Sequence, residues 1–215
     1  MYAKFWKRFF DFTLSLLALI VLSPILLILT VVGAIAMRGN PFFVQPRPGK
    51  KGKDGREKIF YLIKLRSMSN KRGTNGELLP DDQRLGHYGA FLRSTSLDEL
   101  PSLVNIVLGQ LSIVGPRPLL VAYLPRYSAK QRRRHEVRPG LTGYAQAYGR
   151  NLLTWEEKFE KDVYYVDNLS FWLDVKIIFK TISVVLKREG ITSDTSVTME
   201  EFMGVEKEMK VINHE

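Results

Sequence analysis

Between Phe12 and Met37 the chain reads FTLSLLALIVLSPILLILTVVGAIAM, with no charged side chain. At about 1.5 Å per residue, a helix of that length reaches across a hydrocarbon core of ~30 Å. Ser23 and Pro24 fall near its middle. Proline removes one backbone donor and crowds the turn before it, so a bend is expected there, and the Ser23 hydroxyl can bond the freed carbonyl. Both flanks are basic: Lys4, Lys7 and Arg8 precede the run, and Arg38, Arg47, Lys50, Lys51 and Lys53 follow it. The excess of cations therefore assigns neither flank to the cytoplasm. Two geometries stay open, a kinked single span and a helix-break-helix that dips into one leaflet and returns. AIA at 34–36 resembles a signal cleavage site, but the apolar run far exceeds a signal h-region of about 7 to 15 residues.

Beyond the run the pattern changes. Residues 40–58 are rich in Pro, Gly and Lys, and KDG is a turn signal ahead of the apolar stretch IFYLIKL, which predicts a short hairpin or strand pair. Residues 69–89 have loop composition. A helix is predicted from Leu97 to about Leu108. Another is predicted over TWEEKFEKDVYYVDNL, where Thr154 and Glu157 have capping-box spacing and Trp155, Phe159 and Val163 recur at helical intervals as core. Residues 170–190 set Trp172, Val175, Phe179, Ile182 and Leu186 along one helical face beside Lys176, Lys180 and Lys187. That pattern fits burial in a core and residence in a membrane interface equally well. The stretch after Gly190 is weakly patterned and acidic; it is read as peripheral, without chemistry.

Composition narrows the options. A length of 215 residues suits one domain with an attachment. The 32 Lys and Arg against 22 Asp and Glu favour an anionic partner: nucleic acid, an acidic membrane surface or a phosphorylated substrate. The absence of cysteine excludes a disulfide framework, a thiolate metal site and a cysteine nucleophile. No Walker-type loop, zincin motif or nucleophile elbow occurs, and His87, His135 and His214 are isolated.

The chemistry that remains centres on SLDELPSL, residues 96–103, where Asp98 and Glu99 are adjacent. Ser96 and Glu99 have capping-box spacing, which a purely structural helix start explains. A helix start also offers free amides to phosphate oxygens. An aspartate held there can attack phosphorus as an already ionised nucleophile, or ligate Mg²⁺. Arg93, Arg117 in GPRP and Arg150 at the end of GYAQAYGR are candidate phosphate partners, because a guanidinium fork matches phosphate geometry. Each is equally explicable as a solvated surface arginine. RPGLTG, residues 138–143, reads as a turn, and KQRRRHEVR, residues 130–138, reads as a solvated helix face or a contact for lipid headgroups.

Taken in order, SP, KLRSM, DDQRLG, LRSTSLDELPSLVNIVLGQLSIVGPRPLL, VRPGLTGYAQ and LSFWLDVKIIFKTI resemble the small monotopic phosphoglycosyl transferases, or bacterial sugar transferases. The resemblance covers residues 1 to about 190. It implies a predominantly helical α+β protein: a re-entrant membrane helix over 1–38 broken at Ser23 and Pro24, a cytosolic catalytic domain with a small sheet and interfacial amphipathic helices over 39–190, and a tail over 191–215. It implies transfer of a sugar 1-phosphate from a UDP-sugar to undecaprenyl phosphate with release of UMP, at the cytoplasmic face of the bacterial inner membrane. Asp98 is then the nucleophile of a covalent phosphosugar intermediate and a ligand of Mg²⁺, Glu99 assists proton or metal positioning, and Arg93, Arg117 and Arg150 bind substrate. Anionic lipids are implied partners, and nucleic acid is not. Compact size and the KREGI ending look most like the PglC-type subgroup, whose donor is UDP-linked diacetylated bacillosamine. The competing expectation is a non-catalytic basic module that binds anionic lipid or nucleic acid beside a membrane.

Overall fold

The computed structural model describes residues 2–149, 153–187 and 201–204. A π-helical turn, Tyr2–Trp6, leads into the long helix α1, Lys7–Met37. It ends where Arg38 turns left-handed, at φ 50° and ψ 44°, and the Gly39 amide bonds the Ala34 carbonyl. The expected helix-break-helix is corrected here: helical structure is continuous through Ser23 and Pro24. Pro24 lacks the amide that would bond Ile20, and the Ser23 hydroxyl donates to that same Ile20 carbonyl at 2.8 Å. The serine thus supplies locally the donor that proline removes.

The hairpin forms as expected. β1, Phe42–Lys51, pairs antiparallel with β2, Glu57–Leu65, in the register Phe43 to Lys64 and Arg47 to Phe60. Two short helices follow, α2, Asp81–Arg84, and α3, His87–Thr95. The segment predicted as one helix from Leu97 is a 3₁₀ turn, Leu97–Glu99, then α4, Ser102–Val107, because Pro101 has no amide to continue a ladder. β3, Ser112–Val114, lies parallel to β4, Gly140–Thr142. Between them come a 3₁₀ segment, Val121–Arg126, and α5, Ala129–Arg132. α6, Tyr144–Ala147, α7, Trp155–Asp167, and α8, Phe171–Lys187, complete the described elements. The fold is helix-rich with two small sheets.

RPGLTG, read from sequence as a turn, forms β4 and its flanks. A Cβ on Gly140 or Gly143 would fall inside backbone atoms of Gly115. Only glycine allows these strands to approach so closely, and the contact fixes the GPRP loop that starts at Gly115.

One face of α1 packs on this body over most of the helix. Ala18, Leu19 and Leu22 meet Phe60, Leu62, Leu103, Ile106 and Leu111. Further along, Leu26 and Leu29 meet Leu65 and Leu92, and the Tyr88 hydroxyl donates to the Leu29 carbonyl at 2.7 Å. The opposite face leaves Leu17, Ile20, Val21, Leu27, Ile28 and Ile35 exposed.

The first turns of α1 carry buried charge that the sequence pattern did not reveal. Lys7, Asp11 and Asp174 of α8 are 7%, 4% and 4% exposed. Lys7 Nζ donates to Asp174 at 2.7 Å, as do the hydroxyls of Tyr2 at 2.6 Å and Tyr165 at 2.7 Å. Asp11 accepts from the Ser112 hydroxyl at 2.6 Å and the Ile113 amide at 3.0 Å. Buried ions persist only when paired and hydrogen-bonded, and these are. Arg8 donates to the Ile106 and Val107 carbonyls at the end of α4. Lys7 and Arg8 are therefore spent inside the protein and do not count as flanking cations.

α8 resolves the ambiguity of its pattern. Asp174, Ile177 and Val184 face the body, while Trp172 and Phe179 are 71% and 69% exposed and Ile182 is also exposed. The aromatic part of the apolar face identified from sequence, Trp172 and Phe179, thus points outward. It adjoins the aromatic start of the chain, where Phe171 packs against Tyr2 and Phe10.

Of the stretch read as a peripheral tail, residues 201–204 are described and the rest lies outside the described residues. Phe202 is 0% exposed and sits among Tyr123, Phe159, Tyr127 and Trp155.

Candidate functional site

The capping box expected at Ser96 and Glu99 does not form. Ser96 is left-handed, at φ 57° and ψ 18°, and ends α3 with no side-chain cap bond. That conformation is uncommon for a residue with a Cβ and turns the chain sharply into Leu97–Glu99. The Glu99 and Leu100 amides are bonded within the turn, and Pro101 has none. Those three positions therefore offer no free amide to a phosphate, and cations stand beside the turn.

Glu99, freed from capping, binds two cations. Lys64 of β2 donates to its Oε1 at 2.5 Å, and Arg117 Nη2 donates to the same oxygen at 3.0 Å. Lys64 stands 3.9 Å from Asp98 Oδ2, too far for a hydrogen bond. Asp98 is left with a charge neighbour and no strong partner. Ser102 Oγ donates to the Ile63 carbonyl, while Asn105 bonds the Ile63 amide and the Tyr61 carbonyl. These contacts lock α4 against β2, so the spacing of Lys64 from both acids is set by rigid elements.

The two carboxyls are driven apart. Burial pushes Asp98 above the usual carboxylate range; Lys64 is the largest opposing influence, and the negative charge of Glu99 adds to the rise. Burial also works against ionisation at Glu99, but the attraction of Arg117 and Lys64 and their direct hydrogen bonds outweigh it and hold the carboxyl down at about 2. Paired titratable groups with diverging environments take different chemical roles. Glu99 is a fixed anion that anchors two cations; Asp98 is a desolvated, weakly paired carboxylate.

Both acids line a cleft of about 860 Å³ together with Arg47, Lys64, Arg66, Arg84, Arg93, Arg117, Lys158 and the buried pair Arg134 and Asp162. The structure thus brings Asp98, Glu99, Arg93 and Arg117 to one cavity. Arg93 Nε donates to Ser67 Oγ at 3.1 Å, which holds its head on the KLRSM segment. Arg150 lies outside the described residues. Lys64 is a site residue that sequence reasoning missed, although KLRSM contains it; within an alternating apolar strand it looks like an ordinary outward lysine.

The basic run 130–138 is divided: Lys130 and Glu136 stay exposed, while several of its cations turn inward. Arg134 is buried, donates to Asp162 at 2.7 Å and 3.0 Å, and donates to the Arg117 carbonyl at 2.7 Å. Arg132 forks onto Glu57 at 2.7 Å and 2.8 Å, Arg133 pairs with Asp167, and Arg138 donates to the Gly109 carbonyl. Burial, with Arg134 beside it, lowers His135 to about 3, so it is a neutral core histidine. This run supports the loop that presents Arg117.

No cluster of three or more metal-ligating side chains occurs among the described residues. The acids still suit one ion type. Mg²⁺ is commonly held by one or two carboxylates plus substrate phosphates; Glu99 is taken by its cations, and Asp98 has the vacant oxygens.

A family model described as bacterial sugar transferase matches residues 2–188. The chain is 50% identical over 198 residues to EpsL of Bacillus subtilis, an uncharacterised sugar transferase, covering 92% of this chain and 96% of that protein. It is 35% identical over 206 residues to the undecaprenyl-phosphate galactose phosphotransferase of Salmonella typhimurium, covering 87% of this chain and 42% of that one. To the UDP-glucose:undecaprenyl-phosphate glucose-1-phosphate transferase of Klebsiella pneumoniae it is 38% identical over 187 residues, covering 82% and 39%. The chain thus spans nearly all of EpsL and less than half of the two longer relatives.

Lys64→Met is expected to raise both carboxyl pKa values. Glu99 should climb from about 2 by about one pKa unit or more, the scale of losing an opposite charge within ~4 to 6 Å. Asp98 should move further up, so that its ionised form is lost at a higher pH. Carboxyl-carbon NMR titration of selectively labelled protein reads both groups, and a Glu99 that stays at about 2 would refute the shared-lysine account.

Proposed function

The chain belongs to the bacterial sugar transferase family, and from that premise we propose that it transfers a sugar 1-phosphate from a UDP-sugar to undecaprenyl phosphate, releasing UMP. The observation that carries the reading is the division between the acids: Glu99 anchors Lys64 and Arg117, and Asp98 stands beside them in a basic cleft with only the 3.9 Å ion-pair contact to Lys64.

An Asp98 carboxylate oxygen attacks the phosphorus that bears the sugar. The bond from that phosphorus to the bridging oxygen breaks, its electron pair leaves with UMP, and an acyl phosphate of the sugar forms on Asp98. A phosphate oxygen of the polyprenyl acceptor then attacks the same phosphorus, and the Asp98 carboxylate departs. Splitting the transfer into two displacements is the usual gain from a covalent nucleophile. Arg117, Lys64 and Arg93 offset charge on transferred and leaving oxygens, in positions set before substrate arrives. Arg150, by the family resemblance, adds to that set.

Mg²⁺ fits with Asp98 and the donor diphosphate as its holders, and when bound it supplies charge neutralisation at the phosphates. Desolvation of Asp98 favours a nearby cation and strengthens its contacts.

The relatives' names include UDP-glucose and galactose activities, so a UDP-hexose is the leading donor. The diacetylated donor suggested by the subgroup resemblance is the alternative arm of a donor panel.

The membrane reading is a re-entrant α1 that bends at Pro24 while staying helical, with both ends on the cytoplasmic face of the inner membrane. Support comes from packing: α1 touches the body from Asp11 to Leu29, so a crossing helix would draw β2 and α3 toward hydrocarbon, where charged groups are strongly disfavoured. The exposed apolar faces of α1 and α8 would enter one leaflet, with Lys176 and Lys180 among anionic headgroups.

With Mg²⁺ and a donor UDP-sugar but no lipid, intact mass is expected to rise by one sugar phosphate, and Asp98→Asn to abolish the adduct. Transfer by Asp98→Asn at the wild-type rate would remove Asp98 from the role. For topology, single cysteines at positions 2 and 54 of this cysteine-free chain should label from the same side of sealed vesicles; labelling from opposite sides rules out the re-entrant form.

A further inference from the structure

The family match ends at residue 188, yet a segment beyond it packs behind Trp155, a residue of the cleft lining. Phe202 is fully buried, with its ring 5.5 Å from Trp155 and 5.0 Å from Phe159. It stacks on Tyr127 at 5.8 Å and meets Tyr123 edge-on at 5.7 Å. Arg126 ties the segment down by donating to the Glu201 carboxylate at 2.7 Å and to the Phe202 carbonyl. Gly204, at φ 92°, passes against Arg126 in a conformation that favours glycine.

The partners of Phe202 are not remote from the site. Trp155 lines the cleft, as do Lys158 and Asp162 one and two turns further along α7. The Arg134 guanidinium lies 5.5 Å above the Phe159 ring and binds both Asp162 and the Arg117 carbonyl. A continuous packed chain therefore runs from Phe202 through Trp155 and Phe159 to the loop that presents Arg117.

We infer that residues 201–204 form a strap whose Phe202 is a positioning residue, holding the α7 wall and Arg117 in the geometry that binds the nucleoside diphosphate sugar. Removing the ring leaves a void that Trp155 and Phe159 relax into, because a core interior is close-packed and closes only partly around a lost side chain. The effect falls on donor affinity, since the strap touches neither Asp98 nor Glu99. The donor part of this inference rests on the proposed function; the docking of the strap does not.

The test uses the full chain with Trp6→Phe and Trp172→Phe, which leaves Trp155 as its sole tryptophan. Adding Phe202→Ala should increase acrylamide quenching of Trp155 about twofold, as expected of a locally loosened site. It should also raise the donor KM about tenfold and lower kcat by a smaller factor, because Arg117 also meets the transferred phosphate in the proposed reaction. Phe202→Leu, which refills much of the volume and guards against a failure to fold, should recover most of both. Simple loss of folded protein would lower the maximal rate and leave KM alone. Unchanged quenching overturns the strap, and increased quenching with an unchanged KM overturns its positioning role. A parent protein that releases no UMP overturns the proposed function instead, and quenching then decides the strap by itself.

Discussion

Glu99, held between Lys64 and Arg117, is the contact on which the site depends. Its three members come from β2, from the turn after α3 and from the loop after β3, so one carboxylate joins three separate segments. Two cations fixed on one buried anion satisfy the charge at this junction. The same arrangement leaves Asp98 next to positive charge without neutralising it. Asp98 is partly buried and weakly paired, and burial raises its pKa, which suits the proposed nucleophile.

The supports of that junction reach the side of the molecule that exposes the apolar face of α1. Lys64 sits on β2, whose Phe60 and Leu62 pack with Ala18, Leu19 and Leu22 of α1. Arg117 follows β3, whose Ser112 and Ile113 are held by Asp11 of α1. The long apolar helix is therefore part of the floor beneath the site, not a tether to it. Buried Lys7 and Asp174 fasten the start of α1 to α8, so the two elements with the most exposed apolar surface are joined through a paired ion. The exposed apolar surface and the cleft geometry are carried by one packed assembly.

Much of this was legible in the chain. The hairpin, the Thr154 capping box and the Ser23 bond to the carbonyl freed by Pro24 all follow from local pattern, and local pattern governs them; the direction in which the aromatic face of α8 points does not. The misses share a cause. The same capping spacing succeeds at Thr154 and fails at Ser96, because two cations from distant segments bind Glu99 more strongly than a backbone amide would. Lys7, Arg134 and Lys64 look like surface cations in one dimension, and only tertiary contact with Asp174, Asp162 and Glu99 gives them their roles. Phe202 lies in a weakly patterned stretch, and its burial depends on four aromatic rings contributed by other segments.

The central claim is that Asp98 forms a covalent bond to the transferred phosphate while Glu99 only holds cations in place. Exchange of labelled UMP into unlabelled UDP-sugar, with Mg²⁺ present and the polyprenyl acceptor omitted, tests it most directly. A covalent intermediate makes the first displacement reversible without acceptor. Wild-type protein should therefore catalyse exchange, Glu99→Gln should retain a slower exchange, and Asp98→Asn should show none. Exchange that appears only once undecaprenyl phosphate is added, or that survives in Asp98→Asn, would contradict the account.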